Sequence, residues 1–454
     1  MGVWLCLLRD AWSLAVETLS WMEMRSLSER LALARTVKQL GITDHNATRL
    51  AHLLVCETVR RKNHIDRYIN HAITPGKIAE YDLGVQAFLR LYVYQTRVAK
   101  NWSKPDIKEA ESIAGLGRAI LGWKALQKVE PILGFLLTQK PEVVFEGASD
   151  ERRIGLQTFH PTWFVKYCFR LYGRREAIRM LEADVGQASA YVRLNTLKAE
   201  ENEILQKLGE AGVRLEKVEG LRHAYRVVGT KQPLTSTAPF KEGLFYVQDK
   251  ASCFAAEAAN PQPDTTVLDV CAAPGAKTTY LAQLMQNKGT IYSIDYSRRR
   301  TSVWKSEVAH MGAQIAEPVI ADARMPLPLA LEADVVILDP PCTSTGTFRK
   351  LPSAKWRIRP RSIDKMATFQ RQMLNSLAEN VKPNGTLTYS TCSITVEENE
   401  MIIERFLKQH PEFSLTDITP KIGMLGLRGL DKCQRLYPHI HDCNGFFIAK
   451  MQKE

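Results

Sequence analysis

Two cysteines have neighbours and spacing that could place them in one reaction centre. Cys342 ends an Asp-Pro-Pro-Cys tetrapeptide that begins at Asp339, and Cys392 lies in Ser-Thr-Cys-Ser about fifty residues later. Each tetrapeptide follows a run typical of a buried strand, 335–338 in the first case and 386–389 in the second. Because open α/β sheets carry their chemistry at the carboxyl ends of strands, we expect both thiols to face one crevice.

Two thiols at one site narrow the reaction class. An aromatic residue after Asp-Pro-Pro is typical of amino-group methyltransferases, where the ring holds the target base, but here that position is Cys342. A thiolate can instead add to carbon 6 of a pyrimidine and make carbon 5 nucleophilic. A second thiol can then promote removal of the carbon 5 proton and release of the enzyme. The pattern therefore favours methylation of a ring carbon.

Two other interpretations of these cysteines are weaker. Most intracellular cysteines are buried core residues, but Cys342 and Cys392 follow strands beside proline and polar residues. A metal site would need a Cys-x-x-Cys or Cys/His spacing, which the sequence lacks, so we expect no metal.

A glycine-containing turn upstream has the features of a cofactor site. It joins a strand at 267–270 to a helix that starts near Thr278, and its residues are Cys271, Ala272, Ala273, Pro274, Gly275, Ala276 and Lys277. Small residues there let the backbone approach a ligand closely. The spacing matches neither a dinucleotide fingerprint nor a phosphate loop.

Acidic residues end or follow three successive strands of this region, namely Asp295, Asp322 and Asp339. A carboxylate at the place of Asp295 binds a ribose hydroxyl in Rossmann folds, and Asp322 could accept a hydrogen bond from an adenine amino group. Such residues also cap helices, but three in succession are harder to assign to capping alone. A ribose site without a pyrophosphate cradle suggests an adenosyl ligand such as S-adenosylmethionine.

The chain divides by pattern into three predicted domains. Apolar residues recur at helical spacing from 26 to 140, which predicts an N-terminal all-α bundle over 1–145, with 1–24 unassigned and a linker at 140–153. Mixed patterns predict a small α+β subdomain over 146–250. From 251 to 454, strands alternate with helices, which predicts a Rossmann-like domain of the α/β class with a mainly parallel, doubly wound sheet.

Composition favours a polyanionic partner and a reducing compartment. The 454 residues carry a net charge of +12, and Lys and Arg bind phosphates through counterion release. Nine cysteines, an odd number without a regular framework, predict free thiols in an intracellular protein. We expect no signal peptide and no membrane span.

Basic residues around the predicted crevice suggest how a nucleic acid is held. They are Arg298–Arg300, Arg349, Lys350, Lys355, Arg357, Arg359 and Arg361, with Trp356 among them. Basic side chains with an aromatic ring suit a backbone track with base stacking, although Trp356 is equally compatible with core packing. A base must leave its stack to reach Cys392.

Together the motifs resemble one family. The run from Cys271 to Thr278, Asp-Pro-Pro-Cys and Tyr-Ser-Thr-Cys-Ser look like the Sun (Fmu/RsmB-like) family of S-adenosylmethionine-dependent RNA cytosine-5 methyltransferases. The resemblance spans about 155–454, and the N-terminal helices resemble the NusB-like RNA-binding domain of the RsmB branch. One departure is Ala276, where the family has a second glycine; we expect weaker cofactor binding at most.

The resemblance implies roles for the motif residues. Cys392 would be the nucleophile and Cys342 would assist product release. The Cys271–Lys277 turn, Asp295, Asp322 and Asp339 would line the S-adenosylmethionine site, and Asp339 would also hydrogen-bond the cytosine edge. The partner would be RNA, ribosomal in the first instance and transfer RNA as the alternative. We expect a cytoplasmic protein, with a monomer as the default oligomeric state.

Two rival functions use the same fold. A DNA cytosine methyltransferase would attack with the Pro-Cys thiol, Cys342, and would need no second thiol. A non-catalytic RNA-binding factor for ribosome assembly would retain the fold without the chemistry.

Overall fold

The computed structural model describes residues 2–454, with side chains from residue 6 onward. Its helices are α1 Gly2–Arg25, α2 Glu29–Leu40, α3 His45–Arg60, α4 Lys62–Ala72, α5 Leu83–Val93, α6 Ile107–Leu121, α7 Trp123–Leu126, α8 Glu130–Thr138, α9 Asp150–Gln157, α10 Thr162–Ala183, α11 Glu201–Glu210, α12 Ala238–Lys241, α13 Lys250–Ala259, α14 Ala276–Leu284, α15 Arg298–Met311, α16 Ala354–Arg357, α17 Pro360–Ser376, α18 Glu400–Gln409 and α19 Pro438–His441.

The strands fall in the second part of the chain. They are β1 Ala190–Leu194, β2 Val213–Lys217, β3 Ala224–Thr230, β4 Phe245–Val247, β5 Thr266–Val270, β6 Thr290–Asp295, β7 Ala316–Ile320, β8 Ala333–Leu338, β9 Val381–Thr391, β10 Phe413–Leu415, β11 Met424–Leu425, β12 Gln434–Leu436 and β13 Phe446–Lys453. By contacts the chain forms two compact units, of which the first runs to Gly186 and also includes Phe348–Ile358.

The first unit is the helical bundle that the apolar spacing predicts. Helix α1 belongs to it, because Trp12 and Leu14 are buried in the same core as Leu54 of α3 and Phe88 of α5. Local signals set the helix ends: the side chain of Ser28 accepts a hydrogen bond from the Leu31 amide at the start of α2. The segment 1–24, which the sequence pattern leaves unassigned, is therefore part of the bundle from residue 2 onward.

The predicted linker at 140–153 is wrong. Pro141–Phe145 forms a 3₁₀ turn and α9 starts at Asp150, and Val144 is fully buried in the helical core. By contacts, helices α9 and α10 group with the first unit. The domain boundaries at 145 and 250 stay a prediction.

The second unit begins with a small antiparallel sheet of order β2-β3-β1-β4. Strand β1 pairs with β3 and β4, and Val192 and Leu194 on it pack against Ile204 and Leu208 of α11. The mixed sequence patterns here, with apolar runs near 190–194, 224–228 and 244–247 and a helical pattern at 201–211, predict β1, β3, β4 and α11 within a few residues. They miss β2, because that strand is short, charged and mostly exposed.

A larger sheet of order β11-β12-β13-β9-β8-β5-β6-β7 forms the rest of this unit. Strands β9, β8, β5, β6 and β7 run parallel, whereas β13, β12 and β11 are antiparallel additions, and β10 pairs with β13. The predicted α/β class with a mainly parallel sheet is confirmed. The sequence does not reveal β10, β11 and β12, which have only two or three residues each.

Both faces of the parallel strands are covered by helices. Val335 and Ile337 of β8 face a core shared with α13, α14 and α15, while Val336 and Leu338 face a core shared with α17 and α18. Because strand side chains alternate between faces, a strand buried on both sides must be apolar throughout. This burial accounts for the continuous apolar run that precedes Asp339.

Candidate active site

The predicted site residues gather at one edge of the larger sheet. Cys271 follows β5, Asp295 ends β6, Asp339 follows β8 and Cys392 follows β9. These four strands are parallel neighbours, so their carboxyl ends lie at the same edge. Asp322 follows β7 by two residues, at the outer end of that edge.

The two thiols of Cys342 and Cys392 are in direct contact. Their Sγ atoms lie 3.2 Å apart. The hydroxyl oxygen of Ser344 lies 3.5 Å from Sγ of Cys392 and 3.9 Å from Sγ of Cys342. Both cysteines are half-buried, so neither is sealed in the core.

The contact makes the two thiols unequal acids. A hydrogen bond donated by the Cys342 thiol lowers the pKa of Cys392, and the Ser344 hydroxyl and the Lys277 ammonium act in the same direction. That hydrogen bond and burial raise the pKa of Cys342 well above that of an ordinary thiol. These pKa directions make Cys392 the more acidic of the two thiols.

A buried carboxylate, Glu398, fixes both cysteine loops. Its Oε1 accepts hydrogen bonds from the Thr343 amide at 2.8 Å and from Gln370 at 2.9 Å. Its Oε2 accepts hydrogen bonds from Ser393 at 2.7 Å and from Thr395 at 2.9 Å. Thr343 and Ser393 each follow a cysteine, so one fully buried side chain sets the separation of the two thiols.

In the sequence, Glu398 carries only a weak signal. Its tetrapeptide Glu-Glu-Asn-Glu supports the family resemblance, but acidic residues before a helix are usually solvated caps. The useful signal is the excess of hydroxyl residues after both cysteines, since their donors need a common acceptor.

Asp339 and Lys277 form an ion pair beside the thiols. Burial disfavours the ammonium, but Asp339 more than compensates and holds the pKa of Lys277 above its usual value. Ser390 donates a hydrogen bond to the other carboxylate oxygen of Asp339 at 3.3 Å. Asp339 is therefore held between the end of β9 and the turn that follows β5.

The turn after β5 has the backbone conformation that a ligand cradle needs. Cys271 and Gly275 have positive φ values, 66° and 115°. Ala276 is the first residue of α14, so the position that departs from the family pattern has helical φ and does not need glycine. Arg193 is buried under this helix start and donates hydrogen bonds to the Ala276 carbonyl and the Thr279 hydroxyl, both at 2.9 Å.

An unsatisfied carboxylate oxygen faces this turn. Oδ2 of Asp295 is buried and receives no hydrogen bond from any residue that the structure describes, although Arg300 lies 3.2 Å away. Arg300 also donates to the Ala273 carbonyl and is about half exposed, so its contact with Asp295 is weak. An acceptor of this kind fits a ribose hydroxyl of an adenosyl ligand.

Asp322 differs from Asp295 in its surroundings. It is 38% exposed, and it accepts hydrogen bonds from the Arg324 amide and Nε, both at 3.0 Å. The Arg324 side chain lowers the pKa of this carboxyl. Asp322 is thus a hydrogen-bond acceptor at the outer end of the sheet edge, and Arg324 already uses part of its accepting capacity.

Of the two interpretations of Trp356, the structure favours core packing over a stacking surface, whereas Arg357, Arg359 and Arg361 of the predicted basic track are exposed. The Trp356 indole packs against the core of the helical unit and donates to the Val59 carbonyl at 2.6 Å. Lys355 is 1% exposed, and burial lowers its pKa to about 7. Arg298 and Arg299 remain exposed at the start of α15. An aromatic among basic residues in sequence does not reveal which of them face solvent.

Within residues 2–454, no helix is long and apolar enough to cross a membrane.

Comparison with known proteins places the chain in a family. A family model described as 16S rRNA methyltransferase RsmB/F matches residues 256–452, and an RsmF/B-like ferredoxin-like domain matches 160–232. The "Probable ribosomal RNA small subunit methyltransferase B" of Bacillus subtilis is 30% identical over 456 residues, which cover 97% of this chain and 98% of the relative.

One further similar protein and one similar solved structure support the same family assignment. A tRNA (cytosine(72)-C(5))-methyltransferase of Pyrococcus horikoshii is 36% identical over 221 residues, 48% of this chain and 55% of that protein. The crystal structure of PH0851 has a TM-score of 0.83 and 30% identity, and the match covers 98% of this chain and 99% of that one. The resemblance to the Sun family is confirmed: the chain belongs to the RsmB/F methyltransferase family and is an S-adenosylmethionine-dependent RNA cytosine-5 methyltransferase.

Proposed function

We propose that Cys392 is the nucleophile that adds to carbon 6 of the target cytosine, and that Cys342 promotes release of the methylated base. The observation that supports this assignment is the 3.2 Å contact between the two sulfurs, together with the lowered pKa of Cys392 beside Cys342. A thiolate is the attacking form of cysteine, and Cys392 is the thiol on which the surroundings favour that form.

The neighbouring residues act in sequence around the base. Asp339 hydrogen-bonds the cytosine edge as the Cys392 thiolate adds to carbon 6, which leaves carbon 5 electron-rich. S-adenosylmethionine, when bound, supplies an electrophilic methyl group for carbon 5. A water molecule at the site then takes the proton from carbon 5, the electron pair of that C–H bond re-forms the double bond between carbons 5 and 6, and the bond between carbon 6 and Cys392 breaks with its electron pair on the sulfur. Cys342, in contact with that sulfur, protonates the leaving thiolate and so promotes release.

The cofactor is proposed to lie along the edge formed by β5, β6, β7 and β8. The turn of Cys271, Ala272, Ala273, Pro274, Gly275, Ala276 and Lys277 approaches it with backbone atoms. The unsatisfied Oδ2 of Asp295 would accept from the ribose, and Asp322 would accept from the adenine amino group. The ion pair with Lys277 would hold the Asp339 carboxylate between cofactor and base.

The proposed substrate is ribosomal RNA of the small subunit, methylated by a cytoplasmic monomer. Support comes from the B. subtilis relative, whose name states that substrate and which matches over almost its whole length. Transfer RNA is the alternative, because the P. horikoshii relative named for it matches only about half of this chain.

Separate replacement of Cys342 and Cys392 by alanine tests the roles of the thiols. With RNA and S-adenosylmethionine, the Cys342→Ala enzyme should accumulate a covalent RNA adduct that survives denaturing electrophoresis, and the Cys392→Ala enzyme should form none. The reverse result would assign the attack to Cys342, as in a DNA cytosine methyltransferase. No methyl incorporation by the wild-type enzyme would favour a non-catalytic assembly factor.

Bisulfite sequencing tests the substrate. RNA from cells with and without this protein is compared, and one cytosine of small-subunit ribosomal RNA should lose its protection when the protein is absent. Loss of protection in transfer RNA alone would overturn the ribosomal assignment without affecting the roles of the thiols.

A further inference from the structure

The contact between Cys342 and Cys392 has the geometry of a reactive thiol pair. The Sγ atoms are 3.2 Å apart, whereas a disulfide bond is about 2 Å long, so a displacement of roughly 1 Å would join them. Both side chains are half-buried, in contrast to the fully buried thiols of Cys168, Cys253 and Cys433. A small oxidant can therefore reach this pair.

We propose that Cys342 and Cys392 form a reversible disulfide when the enzyme meets hydrogen peroxide, and that this modification switches methyl transfer off. The cross-link follows from the geometry alone. The loss of activity rests on the proposed function, because it requires that the free Cys392 thiolate attacks the base.

The oxidation balances with a peroxide as the only co-reactant. The Cys392 thiolate attacks one peroxide oxygen, the O–O bond breaks, and the hydroxide that leaves takes up a proton to form water. The resulting sulfenic acid is attacked by the sulfur of Cys342; an S–S bond forms, the S–O bond breaks, and a second water leaves with the Cys342 proton. Two thiols lose two electrons, and the peroxide gains them.

The surroundings assign a different part to each sulfur. The hydrogen bond from Cys342 lowers the pKa of Cys392, so Cys392 is the thiolate that reacts first, and Cys342 is already in contact to resolve it. By contrast, burial raises the pKa of Cys56, Cys253 and Cys271 to about 12, which disfavours their thiolates. Selective reaction of Cys392 is therefore expected.

The loop contacts keep the two sulfurs together after oxidation begins. Glu398 binds Thr343 and Ser393, the residues that follow the two cysteines, and the Gly346 amide donates to the Cys392 carbonyl at 3.0 Å. A sulfenic acid on Cys392 is thus resolved before a second peroxide converts it to sulfinic acid, a product that thiols do not reduce. Cys342 would protect the nucleophile as well as release the product.

Peptide mass spectrometry of the full-length enzyme tests the proposal. After brief treatment with hydrogen peroxide and alkylation of free thiols, the peptides of Cys342 and Cys392 should be found cross-linked, with the loss of two hydrogens. Methyl incorporation should fall by about tenfold or more and return after dithiothreitol. In a Cys342→Ser enzyme, the Cys392 peptide should instead gain two oxygens and stay modified after dithiothreitol.

A Cys6→Ser enzyme is the control, because Cys6 is exposed in α1 and belongs to the other unit. It should show the same cross-link as the wild-type enzyme. A Cys392 that becomes sulfinic acid in the wild-type enzyme, cross-links to another cysteine, or does not react overturns the proposal. If the cross-link forms but methyl incorporation does not fall, the disulfide itself is supported and the attacking role of Cys392 is refuted.

Discussion

The amide of Thr343 donates a hydrogen bond to Oε1 of Glu398 at 2.8 Å, in a region where both residues are buried. The same carboxylate accepts from Ser393, so Glu398 links the residue after Cys342 to the residue after Cys392. The reactive separation of the thiols therefore depends on an acceptor that does not itself touch either sulfur.

We predict that Glu398→Gln will slow methyl transfer by about tenfold to a hundredfold while the chain still folds, because an amide replaces one acceptor oxygen with a donor. The Gln Nε2 group would face the donors that Glu398 now satisfies, at a cost of about 1–3 kcal/mol. Single-turnover methylation and urea unfolding measure both effects. Glu379→Gln, at an exposed position of the same unit, should change neither.

The rate of adduct formation should depend on pH through the thiol of Cys392. Because the hydrogen bond from Cys342 lowers the pKa of Cys392, its thiolate persists at a pH where an ordinary thiol is protonated, and the rate should fall only below that lowered pKa. Cys342→Ala removes the donor, so the fall should move to higher pH. Cys342→Ser retains a donor and should give an intermediate profile.

Rapid-quench measurement of the covalent RNA adduct gives this profile, because it records the attack and not the release. A profile that Cys342→Ala leaves unmoved would mean that another group sets the charge of Cys392.

The sequence predicts the elements that carry the site better than the contacts that tune it. Strands β5, β6, β8 and β9 are visible because a long apolar run between glycine turns is typical of a buried strand, and parallel order then brings Cys342 and Cys392 to one edge. The sequence does not reveal that Glu398 is the buried acceptor of the cysteine loops or that Trp356 packs in the helical core. Burial of a charged or aromatic side chain depends on chain segments distant in sequence. Strands of two or three residues, such as β11, leave no period to detect.

Two neighbouring small residues of the cofactor turn, Gly275 and Ala276, differ in backbone conformation. Gly275 has φ of 115°, and a Cβ there would lie 3.3 Å from Cδ1 of Trp304. Gly275→Ala should therefore lower the affinity for S-adenosylmethionine by about tenfold, since the strained backbone costs about 1–3 kcal/mol. Ala276→Gly is the matched control and should change the affinity by less than about threefold, because position 276 is helical. Isothermal titration of the cofactor compares the two.

Trp356 should affect stability and not the binding of RNA. Trp356→Phe keeps the ring in the core but removes the hydrogen bond to the Val59 carbonyl, so the free energy of unfolding should fall by about 1 kcal/mol. The KM for RNA should stay within about twofold of the wild-type value, which a base-stacking role would contradict. Trp123→Phe is the control, since Trp123 is 57% exposed in the same unit and should change the free energy of unfolding by less than about 0.5 kcal/mol.

The buried ion pair of Arg435 and Glu400 should contribute far more to stability than an exposed pair. Its side chains are 1% and 0% exposed, Nε of Arg435 lies 2.6 Å from Glu400, and Nη1 donates to the Ile394 carbonyl at 2.9 Å. Arg435→Met would leave the Glu400 charge buried without its partner, which costs about 3–5 kcal/mol.

Arg428→Met is the matched comparison, because Arg428 forms a two-pronged pair with Glu404 at 2.8 and 2.9 Å but is 48% exposed. Water screens that pair, so its loss should cost less than about 1 kcal/mol. Urea unfolding of both variants gives the two free energies. Ile394, whose carbonyl Arg435 binds, lies two residues beyond Cys392, so Arg435→Met should also slow formation of the covalent RNA adduct. Arg428→Met should leave that rate unchanged. Equal effects of the two substitutions would show that burial of the ion pair does not fix the loop after Cys392.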